Sequence, residues 1–91
     1  MKKNMVKIEL AGQERHLHYN LNSLEIIEDL TGSTLDKITK NLTMKTLKVL
    51  VYAGLIHEDK DLTVEAVGEM IGFGDIQAVS EAIGQAFGGL Q

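Results

Sequence analysis

The sequence predicts an α+β fold: an N-terminal antiparallel β-hairpin packed on a bundle of four to five short α-helices, mainly helical. Three observations predict it. Apolar residues alternate with polar ones at Val6, Ile8 and Leu10 and again around Leu17, the period of a half-buried strand. From Asn20 onward the apolar spacing changes to that of helical faces. The 91 residues contain no Pro, which suits short helices joined by short connections.

Each element follows from local grammar. In residues 5–10, Met-Val-Lys-Ile-Glu-Leu, the apolar side chains alternate with Lys7 and Glu9. Ala11-Gly12-Gln13-Glu14 is a turn-like break, and residues 15–19, Arg-His-Leu-His-Tyr, alternate again with Leu17 facing opposite to His16 and His18. A lone hairpin is marginal in water, so it should lie on helices. The first helix presents Leu24, Ile27 and Leu30, helped by Leu21, with Asn22 as N-cap and Glu25 three residues later, Asn20 competing for the cap. Thr31-Gly32 ends it, and Ser33 or Thr34 restarts a short turn carrying Leu35 and Ile38.

Thr43 caps a third segment with an apolar stripe of Met44, Leu47, Leu50, Val51 and Leu55, leaving Lys45 and Lys48 wet. The charged link His57-Glu58-Asp59-Lys60-Asp61 leads to Thr63, cap of a fourth segment in which Val64, Val67, Met70 and Ile71 are candidates for burial. Gly72-Phe73-Gly74 breaks that segment. Asp75 is the expected cap of a last helix with Ile76, Val79, Ile83, Ala86, Phe87 and Leu90 on one side. A single domain, residues 1–91, is expected, with a hairpin at 5–19, a helical part at 21–87 and a frayed tail at 88–91.

Composition narrows the function classes. With no Cys, a disulfide framework, a thiolate zinc site and a Cys nucleophile are excluded. At 44% apolar residues the chain has the material for a core, and no apolar run approaches the ~20 residues that span a bilayer. The start, Met1-Lys2-Lys3-Asn4-Met5, is basic but is followed by alternation rather than a signal-peptide core, so a cytoplasmic protein is expected, with no membrane partner. The net charge of −4 is uneven: residues 1–48 hold eight basic and six acidic side chains, and residues 49–91 one basic and seven acidic. Such a bipolar surface suits self-association or a basic helix. One Arg and four aromatics disfavour nucleic acid as a partner.

The chemistry-bearing clusters are weak. His16 and His18 share a strand face, and with His57 and Glu58 they have metal-ligating groups, but nothing in the sequence brings the two segments together. Glu58, Asp59 and Asp61 lack the order of an EF-hand loop. Glu25, Glu28 and Asp29 belong to a solvent-facing helix side rather than to a pocket that separates pKa values. Asn22-Ser23-Leu24 is similar to the Asp-Ser-Leu of acyl carrier proteins, yet strand-period residues stand where a carrier has a long helix, and a helix cap explains Ser23. Gly84 and Gly88 form a GxxxG spacing that would let helices approach closely. No catalytic residue, metal or cofactor is expected.

Three blocks carry a family resemblance. Tyr19-Asn20-Leu21-Asn22-Ser23-Leu24-Glu25-Ile26-Ile27-Glu28-Asp29-Leu30-Thr31-Gly32 is the first, preceded by Arg15 and Leu17. The second is Leu47-Lys48-Val49-Leu50-Val51-Tyr52-Ala53-Gly54-Leu55-Ile56-His57-Glu58-Asp59, and the third Leu62-Thr63-Val64-Glu65-Ala66-Val67-Gly68. In this order and spacing they resemble the small tail assembly chaperones of long-tailed phages, prophages and gene transfer agents. The chain departs from them at Lys60, where many relatives carry Pro, and residues 75–87 show only generic apolar spacing.

The resemblance implies a non-enzymatic protein that coats the long helical tape measure protein during tail assembly in the host cytoplasm and is absent from the finished virion. The tail tube protein and a longer frameshift product are further partners it implies, and another small adaptor or regulatory subunit of mobile-element origin is the alternative. The expected partner-binding residues lie between the third and last helices, at Leu47, Leu50, Val51, Leu55, Ile76, Val79, Ile83 and Phe87. Met5, Met44 and Met70 would add an adaptable contact surface, or else fill the core.

Overall fold

The computed structural model describes residues 5–40 and 42–88. In chain order it contains β1 (Val6–Leu10), β2 (Gln13–Leu17), α1 (Leu21–Thr31), α2 (Leu35–Lys40), α3 (Met44–Leu55), α4 (Val64–Met70), a 3-10 turn at Phe73–Asp75 and α5 (Ile76–Gly88). This is a hairpin followed by helices, the mainly helical α+β arrangement that the sequence predicts. Leu90 and the rest of the expected tail beyond Gly88 lie outside the described residues.

The strands pair antiparallel, with Val6 opposite Leu17, Ile8 opposite Arg15 and Leu10 opposite Gln13. Directly opposed residues share a face, so Ile8, Leu10 and Leu17, all buried, point together toward the helices. The reversal takes two residues, not the four-residue break expected at 11–14, and Gln13 and Glu14 join β2. Ala11 (φ 54°) and Gly12 (φ 75°) are both left-handed, the conformation of a type I′ turn whose twist matches the strands. Gly12 adopts it freely, whereas Ala11 does so against a Cβ–carbonyl clash.

Helix ends follow side-chain capping. Asn20, not Asn22, caps α1: its side chain accepts from Ser23 N–H at 3.0 Å, and Ser23 Oγ accepts from Asn20 N–H at 3.3 Å. Asn22 and Glu25 are exposed. The reciprocal pair satisfies two otherwise orphaned donors and lets Ser23 be buried. Ile27 is the buried apolar side chain of α1, with Leu24 and Ile26 half-buried, while Leu21 and Leu30 are exposed. Thr43 and Thr63 cap α3 and α4 as expected, accepting from Thr46 N–H at 3.2 Å and Ala66 N–H at 3.1 Å. Asp75 does not cap α5. Its carboxylate accepts from Gly72 N–H at 3.0 Å, which closes the 3-10 turn that runs directly into α5.

Helix α3 is the central element, in contact with β2, α1, α4 and α5. It buries Leu47, Val49, Leu50, Val51, Ala53, Gly54 and Leu55, so its apolar surface extends well beyond one stripe, as befits an interior helix. Met44, expected on the stripe, is exposed. Val67 of α4 is fully buried and Val64, Met70 and Ile71 pack partly against the core, as do Ile76 and Phe87 of α5. No helix among the described residues is long and apolar enough to cross a membrane.

One residue joins the layers. Tyr19, next after His18 at the end of β2, is buried, and its hydroxyl donates to the Leu50 carbonyl of α3 at 2.5 Å. The ring fits because α3 carries glycine at position 54: a Cβ there would lie 2.8 Å from Tyr19 Cζ, Tyr19 Oη and Leu17 Cδ2. His18 N–H donates to the Gly54 carbonyl at 2.9 Å, and the other side of the Tyr19 ring meets Phe87 of α5 with centroids 4.7 Å apart. Burial pushes the Tyr19 phenol well above its ordinary range, so the hydroxyl remains a donor.

Gly54→Ala should therefore destabilise the fold. The gain of about 1 kcal/mol in helix propensity is outweighed by overpacking of up to about 3 kcal/mol, for a net loss of about 2 kcal/mol in urea unfolding. Ala11→Asn should act in the opposite direction, by about 0.5–1 kcal/mol, because Asn tolerates the left-handed turn position. The same unfolding curves check both.

Candidate functional site

Two regions have the makings of a site: a polar cluster at the open edge of β2 and an apolar groove beside α3. The polar cluster gathers the histidines and acids noted in the sequence. The structure does bring the two segments together. His16 lies opposite Lys7 in the ladder, and its backbone groups point away from β1 toward the link after α3. His16 N–H donates to Glu58 Oε1 at 2.9 Å, and His57 Nε2 donates to the His16 carbonyl at 2.8 Å. Two consecutive side chains thus satisfy the donor and the acceptor of one residue, in the way a third strand would. An unpaired sheet edge is a template for aggregation, and His57-Glu58 covers this one.

The surrounding side chains strengthen the lock. His16 Nδ1 lies 3.3 Å from Glu58 Oε2, and His16 Nε2 lies 3.3 Å from Glu14. Arg15, on the inner strand face opposite Ile8, reaches Asp59 at 3.3 Å. The His18 ring meets His57 edge-on, with centroids 5.5 Å apart. The imidazoles and carboxylates are turned toward one another and toward backbone, and among the described residues no group of three or more His, Asp or Glu side chains is placed to hold a metal ion. Among the described residues, the buried nitrogens Arg15 Nε and His18 Nδ1 have no hydrogen-bond partner. Asp61 is exposed in the following turn, and Glu25, Glu28 and Asp29 are exposed on α1.

The apolar surface is built on the central helix, α3, together with α4 and α5. A depression of about 230 Å³ is lined by Met44 and Leu47 of α3, Gly68 of α4, Ile71, Phe73 and Ile76, with Lys48 at its side. A second, of about 170 Å³, lies between Leu42 and Leu50 on one wall and Ile83, Gly84 and Phe87 of α5 on the other. Together they mark a groove along α3 and α5. Its rim exposes large apolar side chains: Phe73 is 95% exposed, Met44 57% and Leu42 41%. A solvated Phe flanked by two glycines contributes nothing to the core, and exposed apolar patches of this kind mark interaction surfaces. A further depression, of about 510 Å³, is different: it is lined by Lys37, Lys40, Lys45 and hydroxyl side chains around Ile38, and its lysines are exposed, as in an ordinary solvated face.

The residues expected from sequence to bind a partner divide into three groups. Leu47 and Ile76 line the first depression, and Leu50, Ile83 and Phe87 line the second. Val51, Leu55 and Val79 line neither and lie in the interior, 0%, 0% and 1% exposed. Sequence reasoning did not single out Leu42, Phe73 or Lys48 for the groove. The signal for Phe73 was present: an aromatic at a helix break, outside every apolar stripe. Gly84 has open space where a Cβ would lie, so among the described residues no helix approaches closely at that position. Ser23 Oγ is engaged in the α1 cap.

Comparison with protein-family models, with curated proteins and with solved structures finds no match to this chain.

Removing the edge lock should loosen β2 without unfolding the protein. Glu58→Ala should cost about 1 kcal/mol, the net worth of an ordinary hydrogen bond. It should also hasten amide hydrogen exchange at His16 more than at Ile8 or Leu10. Unchanged exchange at His16 would mean that the lock contributes nothing.

Proposed function

We propose that this chain is a tail assembly chaperone: a non-enzymatic protein that binds the tape measure protein of a phage tail and keeps it soluble until the tail tube forms around it. The sequence blocks resembling that family are the starting point. Residues of the first two have a physical task in the structure, with Tyr19 and Gly54 joining the hairpin to α3 and His57-Glu58-Asp59 closing the strand edge. The observation that carries the reading is the groove beside α3, where Phe73 and Met44 are held in water next to Leu47, Ile71 and Ile76.

A tape measure protein is a long helix with apolar stripes that aggregate when free. A groove of this kind receives such a helix through anchors spaced about one turn apart. Burying one aromatic and one methionine side chain contributes roughly 1.5–3 kcal/mol each, enough for a reversible contact and too little for a permanent one. Transient binding suits a protein that must leave as the tube assembles. Many small copies along one long client would add these modest contacts together.

Co-expression with the tape measure protein from the same locus tests the proposal. The client should move from the insoluble to the soluble fraction and co-purify with this chain. A client that stays equally insoluble with and without it would contradict the proposal.

A further inference from the structure

Among the described residues, Lys48 is the charged residue that lines the groove. Its position is set by α4. The Lys48 stem lies across Gly68, with Cδ 2.9 Å and Nζ 3.8 Å from where a Cβ on that glycine would be. The missing side chain leaves a notch, and the aliphatic part of the lysine fills it, as long cationic side chains do when they lie along apolar surface. Lys48 is half-buried, and no ion pair engages its ammonium among the described residues. A cation is thus held at the side of an apolar groove whose rim is formed by Phe73 and Met44.

Charge complementarity then selects the occupant. Resting on the reading above that the groove receives a helix of a client protein, we propose that it takes an amphipathic helix with an Asp or Glu beside its apolar stripe. The stripe closes over Phe73 and Met44, and the carboxylate meets the Lys48 ammonium. Apolar contact supplies the affinity, and the ion pair fixes the rotation of the helix and rejects stripes flanked by Lys or Arg, since charge pairs at interfaces act mainly on specificity. The chaperone would accordingly bind selected segments of a long helix rather than all of it.

Three synthetic helical peptides about 20 residues long test this with the full chain. They share one Leu/Ala stripe and carry Glu, Gln or Lys beside it. Fluorescence anisotropy should show the Glu peptide binding about fivefold tighter than the Gln peptide, with the Lys peptide weakest. Lys48→Met keeps an unbranched apolar stem over Gly68 and should abolish that ranking. Phe73→Ala removes an exposed side chain, so the fold should persist by circular dichroism, and all three peptides should weaken by about tenfold.

A Glu preference that survives in Lys48→Met, or Phe73→Ala binding as tightly as the unaltered chain, overturns the proposal. Sedimentation of the chain alone as a dimer that Phe73→Ala dissociates also overturns it, because a second copy then fills the groove. A co-expressed client solubilised equally by both variants would overturn the groove assignment while leaving the chaperone reading intact. Peptide binding as described, with a client that stays insoluble, would leave the groove intact and remove the chaperone reading.

Discussion

The seating of Tyr19 against Gly54 holds the rest of the structure in place. The aromatic ring ends the hairpin, and the glycine lies in the last turn of the central helix, where any Cβ would come within 2.8 Å of the ring. The hydroxyl donates to the Leu50 carbonyl and the backbone of His18 to that of Gly54, so the strand exit is bonded to α3 twice. The far side of the ring packs on Phe87, which brings α5 to the same point. A buried, fully engaged tyrosine is intolerant of displacement, since its hydroxyl would lose its partner away from water. Asn20, immediately after it, caps α1. The position of one side chain thereby sets where the hairpin ends, where α1 begins, and how α3 and α5 face each other.

That geometry decides which surfaces remain for a partner. Once the hairpin is bonded to α3, the link after α3 lies along the open edge of β2, and His57, Glu58 and Asp59 are used to close it. His16, His57, Glu58 and Asp59 are thereby engaged with backbone or with neighbouring side chains. The groove between α3 and α5 keeps large apolar side chains at its rim in water. Phe73 is exposed there, and among the described residues no ion pair engages the Lys48 ammonium beside it. These are features of a contact surface.

The elements that were legible in the sequence depend on neighbours in the chain. Thr43 and Thr63 act as caps three residues from the amides they satisfy, and Val6, Ile8 and Leu10 alternate within a single strand. Features that depend on distant residues were not legible. The Glu58–His16 contact joins residues 42 apart in sequence, and the space made by Gly54 is needed only because Tyr19 arrives there. The choice of Asn20 over Asn22 as cap follows from the same constraint, because a pinned Tyr19 lets the helix start at Leu21. Of the residues that the apolar period selects, Leu47, Leu50, Ile76, Ile83 and Phe87 line the two depressions. The same period also drew in Val51, Leu55 and Val79, which the interior absorbs. Phe73 shows itself by its place at a helix break rather than by any apolar period, so a reading of periods passes over it.

The central claim is that this chain works through the groove beside α3 while its polar edge is closed. Hydrogen exchange of the full chain, with and without a solubilised tape measure protein, tests it most directly. The account predicts new protection at residues 42–48 and 71–76, with exchange at His16, His18 and residues 57–59 unaltered. New protection centred on the β2 edge and the link after α3, with none along the groove, would contradict it.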